Sequence, residues 1–225
     1  MVSVSLYPWR PRLQSPGKRL SHSCEFYYHA RVTLPGWLAA LVLFLNLPIP
    51  LYWFVVHPRI HFWRRHRKAA YVTGLLCSWP LVTAAIVVYR HELFRPNWPS
   101  AWAMAAGLVL IALEGWIFWL VRRDLGGSRL VGQTELSGGG DLAQQGIYAR
   151  MRHPRYVGSF LAILGACFLA GTRWMWLVAG VWLVLILVAI SLEGRELRAR
   201  FGESYEEYCR RVPGFFPRLR KAGPT

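Results

Sequence analysis

Five predominantly apolar blocks, residues 36–56, 70–88, 101–121, 156–171 and 174–192, constrain this chain more than any other feature. A helix needs about 20 apolar residues to cross the roughly 30 Å of hydrocarbon in a bilayer. Lipid offers the backbone no hydrogen-bond partners, so each crossing segment must satisfy its own. The blocks therefore predict an all-α fold, a polytopic membrane bundle of about five transmembrane helices with a short helical segment at the C-terminal end. Apolar residues make up 54% of the 225, with 12 tryptophans, and a soluble core does not need blocks of this length.

The charge distribution agrees. A formal charge of +16 would suit a nucleic-acid partner if the cations clustered on one soluble face. Here they fall between the apolar blocks, the pattern of a membrane protein rather than a nucleic-acid binder. Of 27 Lys and Arg, 19 lie in the first loop, the loop 122–155 and the C-terminal segment, against 8 on the other side. The richer side is expected in the cytosol, with the N-terminus opposite. Four cysteines, Cys24, Cys77, Cys167 and Cys209, form no C-x-x-C pair, so neither a disulfide framework nor a zinc site is expected.

Residues 1–35 read as a basic, disordered tail without the apolar core of a signal peptide. Residues 36–121 hold three spans, 122–217 form the functional core and 218–225 a tail. Pro48, Pro50 and Pro80 predict kinks. The basic loop 57–68 places His57 four residues from His61, a metal or haem spacing on a helix. Pro58 intervenes and no second ligand cluster exists, so the loop reads as an interfacial anchor through Phe62 and Trp63. Ala103 and Gly107 allow close helix contact, and Glu114, a carboxylate within a span, is a functional candidate. The fourth block reaches only about 24 Å at 1.5 Å per residue, so blocks four and five form a hairpin that brings its flanking segments together.

Those flanks carry the chemistry. Residues 146–158, G-I-Y-A-R-M-R-H-P-R-Y-V-G, set cationic forks beside a helix start: the residue before Pro154 is excluded from helix, so a helix begins at or just after it. Free N–H groups at that start, with Arg150, Arg152 and Arg155, suit a carboxylate or phosphate. On the far side of the hairpin, Glu193 and Glu196 stand three apart and share a helical face. Acids at such a depth require cations or ligand donors. Tyr205 and Tyr208 read as packing, and residues 212–217 as a clasp folding back on the bundle.

The pattern G-x-Y-x-x-x-R-H-P-x-Y-x-G at 146–158, followed by E-x-x-x-L-x-x-x-F-G-x-x-Y-x-x-Y-x-x-x-V-P at 193–213, resembles the isoprenylcysteine carboxyl methyltransferases and related integral-membrane phospholipid methyltransferases. The resemblance implies a cytosol-facing pocket for S-adenosylmethionine as methyl donor and an opening toward the bilayer for a lipid-like or prenylated acceptor. It assigns Tyr148, His153, Pro154, Tyr156, Gly158, Glu193 and Glu196 to the donor, and Arg150, Arg152 and Glu193 to catalysis, with carboxyl O-methylation as the reaction. Two positions depart from the family pattern: Gly194 stands where a second glutamate is usual, and Ile147 where a proline is. The competing readings are an NADPH-dependent membrane reductase, since sterol reductases resemble this C-terminal architecture, and a non-catalytic scaffold of the same fold.

Overall fold

The computed structural model describes residues 32–126 and 141–216. The expectations for the N-terminal tail, the glycine-rich stretch after Gly126, and Pro217 onward lie outside the described residues. Among the described residues the secondary structure is helical throughout. Four rods are long and apolar enough to cross a membrane: Leu34–Arg65, Arg67–Val88, Ala101–Leu125 and Arg173–Phe201. A shorter apolar helix, Pro154–Ala170, makes the fifth.

The first rod contains α1 (Leu34–Asn46), α2 (Pro48–Val56), a 3-10 turn at His57–Arg59 and α3 (Ile60–Arg65). Thr33 caps its start by accepting the Gly36 N–H at 3.3 Å. The prolines interrupt it without ending it. Pro50 has no N–H to give the Asn46 carbonyl four residues back, and Trp182, far along the chain, donates its indole N–H there instead at 3.0 Å. The segment expected as a basic loop after residue 56 is mostly helix, and Trp63 Nε1 donates to Val55 O at 3.0 Å across the 3-10 turn.

The second rod holds α4 (Arg67–Thr73), a π-turn over Gly74–Ser78 and α5 (Trp79–Val88). The π-turn directly precedes Pro80, where the regular ladder cannot continue. After the short α6 (Arg90–Leu93), α7 (Ala101–Leu125) forms the third rod. Its inward stripe includes Ala103, Gly107 and Val121, all buried.

That stripe packs against α8 (Pro154–Ala170), the central helix of the bundle. A Cβ on Gly107 would lie 2.9 Å from the Gly165 carbonyl, and one on Gly165 2.7 Å from the Gly107 carbonyl, so the two backbones approach as only glycines allow. At 17 residues α8 is about 26 Å long by the 1.5 Å rise, less than the hydrocarbon thickness. It ends at Gly171, whose φ of 67° is a left-handed cap. Thr172 then caps α9 (Arg173–Phe201) and donates to the Leu93 carbonyl at 2.9 Å.

Helix α9 has 29 residues, about 43 Å, longer than the roughly 30 Å of hydrocarbon in a bilayer. Its last turns carry Glu193 and Glu196, just after the apolar block that ends at Leu192, as one continuous helix rather than a span followed by a separate one. Gly202, at φ 53°, reverses the chain into α10 (Glu203–Arg211). Arg64 on α3 forms an ion pair with Glu196, and α10 folds back toward residues 148–153. The first loop, the end of the long loop and the C-terminal segment therefore share one end of the bundle.

Candidate active site

Asp124, at the end of α7, organises the approach to the site. Its Oδ2 accepts the Ile147 N–H at 2.7 Å and so fixes the 3-10 turn Gly146–Ala149. Gly146 has a φ of 60°, and a Cβ there would overlap the Asp124 carboxylate, so the first glycine of the sequence pattern is a steric requirement. From this turn Tyr148 faces inward, and its carbonyl accepts the Tyr208 hydroxyl at 2.8 Å. The clasp is a backbone one: Arg152 N–H donates to Pro213 O at 2.9 Å and His153 N–H to Gly214 O at 3.0 Å.

Two cavities meet at this point. The first, about 750 Å³ including its open mouth, is lined by Asp141, Leu142, Tyr148, Arg152, His153, Glu193, Glu196, Leu197, Arg200, Phe201, Tyr205 and Tyr208, among others. The second, about 620 Å³ on the same measure, is lined by Ile49, Trp53, His57, Leu125, Tyr148, Arg152, His153, Arg155, Tyr156 and Glu193. Tyr148, Arg152, His153 and Glu193 line both, so the two spaces share a wall. Across it, the Tyr156 hydroxyl donates to Glu193 Oε2 at 2.9 Å, linking the start of α8 to the end of α9.

Comparison with known proteins gives the family. The phospholipid methyltransferase family model matches residues 102–204, from α7 into α10. The cobalt-zinc-cadmium resistance protein CzcN of Cupriavidus metallidurans is 30% identical over 169 residues, 74% of this chain and 67% of that one. The chain belongs to the phospholipid methyltransferase family. Family relatives named as enzymes include methanethiol S-methyltransferase 2 of Bradyrhizobium diazoefficiens, 27% identical over 158 residues, 63% of this chain and 59% of that protein's length. The protein-S-isoprenylcysteine O-methyltransferase of Schizosaccharomyces pombe is 38% identical over 81 residues, 34% of this chain and 33% of the yeast one. No solved structure matches the chain.

In this family member the residues singled out by sequence do not all meet. Tyr148, Arg152, His153 and Glu193 line both cavities, Glu196 the first and Tyr156 the second. Pro154 is buried as the first residue of α8. Arg150 is exposed and lines neither cavity. Gly158 faces α7, where a Cβ would lie 3.3 Å from Ile117, and it borders a small space with Glu114 and Arg155. Gly194 is buried, with room for a Cβ at 3.7 Å from both the Tyr205 hydroxyl and Arg198.

Electrostatics at the shared wall follow from burial. His153 is 8% exposed, with its ring stacked on Tyr156 and facing Phe215. Burial, aided by the Arg152 charge, lowers its pKa to about 4, so the imidazole is neutral at physiological pH. Burial also lifts the Tyr205 phenol to about 12 and raises that of Tyr208, and both stay protonated as donors. Arg152 Nη1 points to Cys209 Sγ at 2.8 Å.

The second cavity holds what sequence reasoning missed. Ile49, Trp53 and His57 come from the first rod, whose match to the family pattern was only that of a generic span. The spacing of His57 and His61 suits a metal pair, but His61 is exposed and His57 lines the cavity.

Proposed function

We propose that this chain is an S-adenosylmethionine-dependent methyltransferase working at the membrane surface, with carboxyl O-methylation of an isoprenylcysteine-type acceptor as its reaction. The observation that carries the reading is the shared wall: a donor in the first cavity and an acceptor in the second meet across Tyr148, Arg152, His153 and Glu193.

The first cavity fits the amino-acid end of such a donor. Arg152 Nε and Glu196 Oε2 are buried there without hydrogen-bond partners among the described residues. One is a donor and the other an acceptor, which matches a carboxylate and an ammonium group. Glu193 offers an acceptor for ribose hydroxyls, and Tyr148, Leu197 and Phe201 give aromatic and apolar surface for an adenine. Bound there, S-adenosylmethionine supplies an electrophilic methyl on a sulfonium. The task left to the protein is alignment and exclusion of water, with no nucleophilic side chain of its own. His153, held neutral between Tyr156 and Phe215, adds no positive charge that would oppose a sulfonium.

The second cavity suits the acceptor. Ile49 and Trp53 give it apolar surface from the first rod, which suits a lipid-like molecule, and Arg155 gives a carboxylate a cation to face. A carboxylate attacks without a general base, whereas a thiol must first lose a proton. The relatives named as methanethiol S-methyltransferases favour a small thiol as the alternative acceptor. The excess of Lys and Arg on the site's side of the bundle supports a cytosolic active site with the N-terminus opposite.

The test is to incubate the detergent-solubilised full chain with methyl-labelled donor and total membrane extract. Label that enters a lipid-like fraction and is released by mild base supports the ester reading, and base-stable label in a thioether supports the thiol. Transfer to no fraction, with the donor analogue sinefungin still bound, contradicts the enzyme reading.

A further inference from the structure

His57, like Arg152 Nε, is a polar group of the second cavity that finds no partner among the described residues. It sits in the turn between α2 and α3, 8% exposed. Neither ring nitrogen has a hydrogen-bond partner among the described residues. The ring stacks on Trp53, centroids 4.8 Å apart and planes at 24°, so one face is covered and the imidazole is oriented. A buried polar group without a partner is a standing cost, and a cavity in front of it is where a ligand offsets that cost.

The charge of the cavity selects the ligand. Arg152 and Arg155 line it, and the one carboxylate among its described lining residues, Glu193, already accepts the Tyr156 hydroxyl. Arg64, near the end of α3, is engaged by Glu196. The cavity thus sets two arginines and the imidazole N–H against a single carboxylate, a lining that fits an anionic group. In either protonation state an imidazole carries at least one N–H to donate.

We infer that His57 is an acceptor-recognition residue, donating a ring N–H to a carboxylate oxygen of an apolar-tailed acid, with Arg155 supplying the opposite charge. This rests on the carboxylate acceptor proposed above. It assigns a substrate contact to the first rod, outside the C-terminal stretches that carry the family pattern. The carboxylate is held at one oxygen, leaving the other to face the shared wall.

The experiment measures binding of N-acetyl-S-farnesylcysteine and of its methyl ester to the detergent-solubilised full chain saturated with sinefungin, so that no turnover is needed. The wild type is expected to bind the acid more tightly than the ester. His57→Ala should weaken acid binding about tenfold or more, the range for a hydrogen bond to a charged group, weaken ester binding by less, because a neutral carbonyl is the poorer acceptor, and leave sinefungin binding unchanged. His57→Gln, which retains an N–H donor, should recover part of the loss. Equal weakening of acid and ester, or no change in either, overturns the role of His57 alone. Failure of the wild type to bind the acid while sinefungin remains bound overturns the carboxylate acceptor and this assignment with it.

Discussion

At the scale of single residues, His153 couples the site to acid. Burial and the neighbouring Arg152 hold its pKa at about 4, against 6.5 for a free imidazole. Between those values the unfolded chain binds a proton that the folded chain does not, so stability falls as pH drops from about 6.5 toward about 4. The full effect is on the order of 3 kcal/mol. In detergent, the thermal midpoint of His153→Gln should fall less steeply across that window than the wild type's, by about one proton in slope. An identical decline in both would show that His153 is not the group responsible. Tyr156 and Glu193 form the other decisive pair, because their hydrogen bond joins segments on either side of the hairpin.

At the scale of elements, the interrupted first rod is held by a bond that spans the chain. Pro50 frees the Asn46 carbonyl, and Trp182 on α9 answers it at 3.0 Å from a position 1% exposed. Trp182→Phe keeps most of the ring's packing and removes the donor, so the expected loss is about 1–3 kcal/mol, the cost of a buried carbonyl left unsatisfied. A lowered thermal midpoint in Trp182→Phe, with Trp182→His recovering part of it, is the expected result; an unchanged midpoint in Trp182→Phe contradicts it. The prolines were visible in sequence as kinks, but nothing local to residues 46–50 names a partner 136 residues away. The same limit applies at residues 57–65, where basic residues read as a loop and the chain is helical, with Trp63 bonded back to Val55. By contrast, Ala103 and Gly107 foretold a close helix contact, because small residues four apart have few other uses in a span.

At the scale of the whole molecule, the short α8 and the long α9 explain why the site exists where it does. A hairpin with one arm below the membrane thickness and the other above it carries Glu193 and Glu196 to the level of the turn at 146–149, and α10 folds back to close the space. The bundle class, the helix start at Pro154 and the two polar flanks were legible because apolar length and proline geometry are local signals. The second cavity was not, since its wall of Ile49, Trp53 and His57 becomes a wall only when the first rod packs beside α9. Arg150 and Arg152 look alike in sequence, yet the turn Gly146–Ala149 turns the first to solvent and the second to the site.

The central claim is that the segments around His153 and Glu193 build one donor pocket. Titrating sinefungin against the wild type, His153→Ala and Glu193→Ala, each checked for a retained fold by its thermal midpoint, tests it most directly. The account predicts that either substitution weakens binding about tenfold or more, the effect of losing a partner to a polar or charged group. Wild-type affinity in both folded variants would contradict it.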